Sequence, residues 1–317
     1  MSAGNVLCLS GGVGGAKLLL GLQRVLPAGC LTAVVNTGDD FDHLGLRICP
    51  DVDTALYTLG GLANQELGWG RRGETWHFME TLESLGGETW FRLGDADLAL
   101  HVERTRRLRQ GQSLTEITAD IAERLNIPSA VLPMSDDRLS TMVVTDDGEL
   151  AFQDYFVRLR CEPVLRQCRF DGADKAQVSP AVKAALGQPL RAVLIAPSNP
   201  WLSIAPILAL AEMKELLQQC AAPVIAVTPV MGGDSVKGPT AKIMAEMGLE
   251  ISPASVAACY AGIIDGFVLD SRDRECAESL GIPVSITDTL MKSDADKERV
   301  ALAALALAEN LGWSGSE

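Results

Sequence analysis

Hydrophobic and polar positions follow two rhythms along this chain. Asn5–Leu9 is a short apolar run rich in β-forming residues. Ser10-Gly11-Gly12-Val13-Gly14-Gly15 follows it, and then Ala16–Leu26 with apolar positions at helical spacing. Leu31–Val35 reads as a second buried strand ending in the polar segment Asn36–Asp40. Asp51 then reads as the cap of a helix running through Thr58 and stopping at Gly60-Gly61. This strand–loop–helix repetition is the opening of a parallel sheet. From about Leu62 to Asn126 strand signals vanish, and helical stretches take over at Glu74–Leu85, Leu98–Arg109 and Leu114–Leu125. The last of these opens with the capping box Ser113-x-x-Glu116.

Strands resume at Ala130–Leu132. A hairpin follows, with arms Thr141–Thr145 and Leu150–Arg158 around the turn Asp146-Asp147-Gly148. In the last third, Arg191–Ala196 and Pro223–Thr228 are near-continuous apolar runs, the pattern of strands covered on both faces. Helices are expected at Pro206–Gln219, Pro239–Met247 and Ser255–Ala261, further strands at Gly266–Leu269 and Val284–Ile286, and a closing helix at Ala295–Leu311. The expected fold is α/β: a Rossmann-like, doubly wound, mainly parallel sheet with a helical insertion and a β-hairpin. Residues 1–61 and 127–317 form the nucleotide- or phosphate-binding core in this reading, and 62–126 the insertion.

Composition narrows the partners. The 317 residues carry 27 Lys plus Arg against 41 Asp plus Glu, a net charge of −14. That excess argues against nucleic acid and anionic membranes, which require a basic footprint. A local pocket can still oppose the global sign and take a phosphorylated small molecule. The eight cysteines include no C-x-x-C and sit largely in apolar runs, which reads as buried thiols of a cytoplasmic protein. His43, His77 and His101 lack zinc-site spacing with them. No apolar stretch is long enough to span a membrane.

In a sheet of this kind ligands sit beyond the carboxyl ends of the strands, so chemistry is sought in the loops there. Glycines at 11, 12, 14 and 15, followed by Lys17, allow close backbone approach to a phosphate at a helix N-terminus. The run is neither a Walker A loop nor G-x-G-x-x-G, and a merely tight turn is its plainer reading. Asp39, Asp40 and Asp53 are carboxylates at strand ends that suit Mg²⁺ carried by a diphosphate, a ribose-like polyol, or loop capping. Arg92-Leu-Gly-Asp95 either docks polar groups of a ligand or forms a surface ion pair, and the arginines at 104, 106, 107 and 109 read as a solvated helix face. Further polar loops occur at Pro133–Asp137 with Ser135 and Asp136, at Pro197–Pro200 with Ser198 and Asn199, and at Thr228–Pro239 with Lys237 and Gly238. Each alone is a turn; together they suit a nucleotide-sized ligand.

As an ensemble these segments resemble the 2-phospho-L-lactate transferase family of coenzyme F-420 biosynthesis. The likeness rests on Ser10–Lys17, Val35-Asn36-Thr37, Pro50–Thr54, Arg92–Asp95, Leu132–Asp137, Phe152-Gln153-Asp154, Pro197–Pro200, Gly238-Pro239 and Asp288–Met291, in that order along the chain. The resemblance implies a Mg²⁺-dependent enzyme, acting as a homodimer on small molecules. It transfers a phosphate-linked three-carbon acid, such as phospholactyl or phosphoenolpyruvoyl, from a guanosine diphosphate conjugate to the hydroxyl of the deazaflavin Fo, and GMP leaves. It further implies that Asp53 and Arg92 contact Fo. Asp39, Asp40 and Asp53 are then the candidate catalytic and metal-binding residues. Gly11, Gly12, Gly14, Gly15, Lys17, Ser135, Asp136, Ser198, Asn199 and Gly238 are the candidate nucleotide and phosphate contacts. A non-catalytic, UDP-sugar-binding regulator of the related fold is the alternative. A nicotinamide oxidoreductase would require the missing G-x-G-x-x-G.

Overall fold

A computed structural model describes residues 4–64, 69–235 and 238–312. The chain opens with β1 (Asn5–Ser10), α1 (Gly12–Val25) and β2 (Leu31–Val35). A small antiparallel hairpin of β3 (Phe41–His43) and β4 (Leu46–Ile48) leads into α2 (Pro50–Leu59). Helices α3 (His77–Ser84), α4 (Asp95–Arg109) and α5 (Leu114–Arg124) precede β5 (Ala130–Pro133). A three-stranded antiparallel sheet follows, made of β6 (Ser140–Thr145), β7 (Gly148–Ala151) and β8 (Leu165–Asp171). The second half runs through α6 (Pro180–Leu186), β9 (Leu190–Ile195), α7 (Ala205–Ala209), α8 (Met213–Gln219) and β10 (Val224–Val227). It continues with the short ribbon β11 (Val230–Met231) and β12 (Asp234–Ser235), then α9 (Thr240–Glu246) and α10 (Pro253–Ala258). It closes with β13 (Gly266–Asp270), β14 (Val284–Thr287) and α11 (Asp294–Asn310).

The central sheet has seven parallel strands in the order β14-β13-β10-β9-β1-β2-β5. Successive residues of β1 alternate between two cores, as strand geometry requires. Val6 and Cys8 pack under α1, α2, α5 and α11, whereas Leu7 and Leu9 pack against α6–α10 on the opposite face. Both faces are therefore covered, which explains the unbroken apolar character of β9 and β10. The chain builds outward from β1 through β2 to β5, then returns to β9 on the other side of β1 and builds away again. That reversal leaves a crevice at the carboxyl ends of β1 and β9.

Several boundaries differ from those expected, each for a physical reason. Helix α1 begins at Gly12, so most of the glycine run is its first turn rather than a preceding loop. Glycine's poor helix propensity is overridden by packing: a Cβ on Gly14 would lie 2.5 Å from the Pro197 carbonyl oxygen. The second hairpin arm ends at Ala151 and passes into a π-helical turn, Asp154–Arg158; β8 supplies the other neighbour of β6. The helix expected over Pro206–Gln219 is two helices, α7 and α8, broken around Leu210. Within residues 62–126, α5 buries Leu114, Ile117 and Ile121 in the same core as α1. Met79 and Leu93 instead form a small separate core with Ile48 of β4. Among the described residues no helix is long and apolar enough to cross a membrane.

Candidate active site

The crevice between β1 and β9 is built from backbone approaching backbone. Gly11 is the extended N-cap of α1, and Gly12 takes a positive φ of 64°, which a side chain would resist. The Gly11 N–H donates to Ser198 Oγ at 3.2 Å, and that hydroxyl donates back to the Gly11 carbonyl at 2.7 Å. A Cβ on Gly15 would meet the same Ser198 hydroxyl at 2.5 Å. Asn199 holds its own turn, its Oδ1 accepting from the N–H groups of Trp201 and Leu202 while Nδ2 donates to Thr240. The glycine run and the Pro197–Pro200 turn thus form one unit.

Asp51 is not the cap of α2, because Cys49 occupies that position and Asp51 lies in the first turn. Its carboxylate instead accepts from the Gly12 N–H at 2.8 Å and from Asn36 Nδ2 at 3.0 Å. Asn36 Oδ1 in turn accepts from the Gly38 N–H. One buried acid therefore ties the ends of β1 and β2 together. Burial pushes its pKa up to about 6, against the opposing pull of these hydrogen bonds.

The loop after β2 lines a cleft of about 250 Å³ whose walls include Gly38, Asp39, Asp40, Phe41, Trp90, Thr141, Phe152 and Gln153. Asp39 and Asp40 are 5% and 3% exposed. Asp39 Oδ1, both carboxylate oxygens of Asp40, and the hydroxyls of Thr37 and Thr141 have no hydrogen-bond partner in the protein. Burial raises the Asp39 pKa well above the ordinary carboxylate value, and the Asp51 charge adds to the effect. Burial likewise pushes Asp40 up to about 7 despite Arg47, whose Nη2 lies 3.5 Å from it. Two adjacent buried carboxylates with unsatisfied oxygens are costly unless something binds them. Above them, Phe41 meets Phe91 edge-on at 4.9 Å, and Phe152 stacks on Phe156 at 5.3 Å, so the mouth is aromatic on both sides.

Asp53 does not line the cleft, yet it lies close enough to Asp40 for its charge to help raise that acid's pKa. It faces α4 across a buried seam, where Arg104 grips both its oxygens, the Nη1–Oδ2 bond measuring 3.1 Å. His101, Asp97 and Tyr57 extend the seam, with His101 Nε2 3.2 Å from Asp97 and the Tyr57 hydroxyl donating to Asp97. Asp53, Asp97 and His101 have donor atoms within 4.8 Å of one another. Arg104 already occupies the Asp53 oxygens, so this trio does not fit a cation. Asp53 is thus engaged by Arg104, whereas Asp39 Oδ1 and both Asp40 oxygens make no hydrogen bond. Arg104 is 1% exposed, a correction to its reading as part of a solvated face. Arg92 is exposed and stacks over Trp76 with 4.3 Å to the ring centroid.

The remaining expected contacts are scattered. Lys17 Nζ donates to the Met291 carbonyl at 2.9 Å. Ser135 donates to the Gln177 carbonyl, and exposed Asp136 accepts from the Thr115 N–H. Gly238 is exposed at the start of α9, and Lys237 lies outside the described residues. The sequence reading did not single out Arg47, Thr141 or Trp90, and it named Thr37 and Phe152 only within the segments that carry the resemblance. The sole signal for Arg47 was a cation one strand away from paired acids.

Comparison with known proteins agrees with this architecture. The chain resembles solved structures of a UPF0052-family protein from Bacillus halodurans, one with TM-score 0.64 at 17% identity, covering 96% of this chain and 99% of that one. That likeness concerns the fold. A "Phosphoenolpyruvate transferase" of Streptomyces avermitilis is 40% identical over 315 residues, 96% of this chain and 98% of the relative. A "2-phospho-L-lactate transferase" of Methanosarcina mazei is 40% identical over 299 residues, 93% of this chain and 98% of the relative. With the family description "2-phospho-L-lactate transferase CofD" matching residues 6–304, the chain belongs to that family.

Proposed function

We propose that this protein transfers a phosphate-linked three-carbon acid from a guanosine diphosphate conjugate to the primary hydroxyl of the deazaflavin Fo, as in coenzyme F-420 biosynthesis. The observation that carries the reading is the pair Asp39–Asp40, buried with unsatisfied oxygens at the base of an aromatic-walled cleft beside the α1 N-terminus. Relatives named for both phosphoenolpyruvate and 2-phospholactate support the reaction class and leave the acid to be found by assay. Both of these relatives are named as transferases, which disfavours the UDP-sugar regulator reading.

Balanced, the reaction joins the Fo hydroxyl oxygen to the phosphorus that bears the acid. The bond from that phosphorus to the bridging oxygen breaks, GMP departs with that oxygen, and the hydroxyl proton is released. Such transfers rest on positioning and charge stabilisation. Unpartnered oxygens of Asp39 and Asp40 fit a Mg²⁺ ion, which when bound supplies charge to neutralise the diphosphate. Gly14 and Gly15 let the first turn of α1 pack against Pro197 and Ser198, and the N–H groups of Val13 and Gly14, beyond the one that Gly12 gives to Asp51, are offered to the nucleotide phosphate. Phe41, Trp90 and Phe152 offer flat faces for the deazaflavin ring and exclude water from the reacting groups. Incubation with Fo, Mg²⁺ and each candidate donor is expected to release GMP only when Fo is present, with the product mass naming the acid. No GMP with any donor overturns the reading.

The same acids make a pH prediction. Asp40 binds its proton up to about pH 7 in the folded protein, whereas the unfolded side chain releases it near 3.8. Its contribution to stability is complete below the lower value and lost as pH rises through the upper one. Metal-free protein, compared with Asp40→Asn, is therefore expected to lose thermal stability between about pH 4 and pH 8. A pH-independent difference in melting temperature overturns this.

A further inference from the structure

We infer that Arg47 is a catalytic residue, its guanidinium binding the phosphoryl group that bears the three-carbon acid. The inference rests on the reaction proposed above and assigns a residue that neither the glycine run nor the paired acids disclosed.

Arg47 lies on β4 between Leu46 and Ile48, which pack into the small core with Met79 and Leu93. Strand alternation sends the intervening side chain the other way, where its guanidinium lies beside Asp40 and Asp42 of the cleft wall. Helix α4 fixes the hairpin from behind. The Arg47 N–H donates to Thr105 Oγ1 at 2.8 Å, the Arg47 carbonyl accepts from Arg104 at 3.4 Å, and Arg109 donates to the Gly45 carbonyl at 2.9 Å. The backbone is thus pinned while the guanidinium reaches forward.

The Arg47 side chain is only 13% exposed, yet its ion pairs with the acids it faces are long and close no short hydrogen bond. Its Nη2 is 3.5 Å from Asp40 and its Nη1 is 3.7 Å from Asp42, and both Asp40 oxygens remain unpartnered. Arg104, a few residues away in space, shows the contrast, since it grips Asp53 with two donors. An arginine and an aspartate that face each other without closing a forked pair leave donors and acceptors for a third party. The fork matches phosphate oxygens, and the carboxylate matches a divalent cation.

Other cations near the cleft are committed. Lys17 donates to Met291, Arg92 stacks on Trp76, and Arg138, 76% exposed, pairs with Asp42. Among the described residues Arg47 and Arg104 are the sheltered cations near Asp40, and Arg104 is committed to Asp53. Beside Asp40, Arg47 gives and takes no proton. It offsets the negative charge that builds on the non-bridging oxygens as the bond to the Fo oxygen forms and the bond to the bridging oxygen breaks.

The test is calorimetric titration of GDP and of GMP, with Mg²⁺ present, into the wild type, Arg47→Met and Arg47→Lys. The terminal phosphate of GDP occupies the place of the transferred group, and GMP lacks it. Arg47→Met is expected to weaken GDP about 30-fold, the scale of charge-assisted hydrogen bonds, while leaving GMP unchanged. Arg47→Lys is expected to recover part of the loss, and turnover of Arg47→Met to fall with KM for Fo unaltered. Equal losses for GDP and GMP, or no loss for either, overturn the assignment. A wild type that binds neither nucleotide overturns the transferase reading itself, and this inference with it.

Discussion

Arg104→Met is expected to destabilise the fold by about 3–5 kcal/mol, the cost of leaving one member of a buried ion pair alone. Arg104 is 1% exposed and Asp53 5%, so solvent cannot screen the carboxylate once its partner is gone. Burial works against the guanidinium's charge, and Asp53, Cys49 and Asp40 together outweigh it and raise the pKa. The same side chain also donates to the Arg47 carbonyl, so its loss loosens the hairpin that carries Arg47. The double variant Asp53→Leu with Arg104→Met removes both charges, and most of the lost stability is expected to return. Denaturant titration of the two variants decides the matter. A single-variant loss below about 1 kcal/mol, the range of an exposed pair, rejects the seam as a stabilising element.

The seam also shows what the chain's pattern discloses and what it hides. Strands β1, β2, β9 and β10 were legible to within a residue or so, because unbroken apolar runs bounded by Gly and Pro leave few alternatives. The capping box at Ser113 and Glu116 formed as its spacing implied. Arg104 misled because an arginine among arginines is ordinarily solvated, and only the packing of α4 on α2 identifies which one turns inward. Asp51 misled for a similar reason: the local pattern offered a cap, and the tertiary fold gave the carboxylate Gly12 and Asn36 instead. The three-residue hairpin arms around Leu44-Gly45 were too short to register as strands, which hid Arg47. Asp39 and Asp40 were visible because consecutive acids after a buried strand have no local partner. Asp53 looked equivalent in sequence, and its distinction depends on a helix about 50 residues further along.

Asp39→Asn and Asp40→Asn should each lower turnover by about 10³-fold, corresponding to roughly 4 kcal/mol of lost transition-state stabilisation, and each should leave the protein at least as stable. The pairing of effects follows from burial. Each carboxylate is nine-tenths or more enclosed and carries unpartnered oxygens, so the folded state bears a desolvation cost that the surrounding groups, Arg47 among them, offset only in part. An amide keeps the shape and removes the charge, which relieves that cost and also relieves Asp39 of the repulsion from Asp51. The same change removes the negative oxygens that suit a divalent cation, so added Mg²⁺ should raise the melting temperature of the wild type and barely move that of either variant. Acids arranged only for folding would show the reverse, with lower melting temperatures and retained turnover. Melting curves with and without Mg²⁺, set beside GMP release, separate the two cases. Variants that lose stability and keep activity would remove Asp39 and Asp40 from the site.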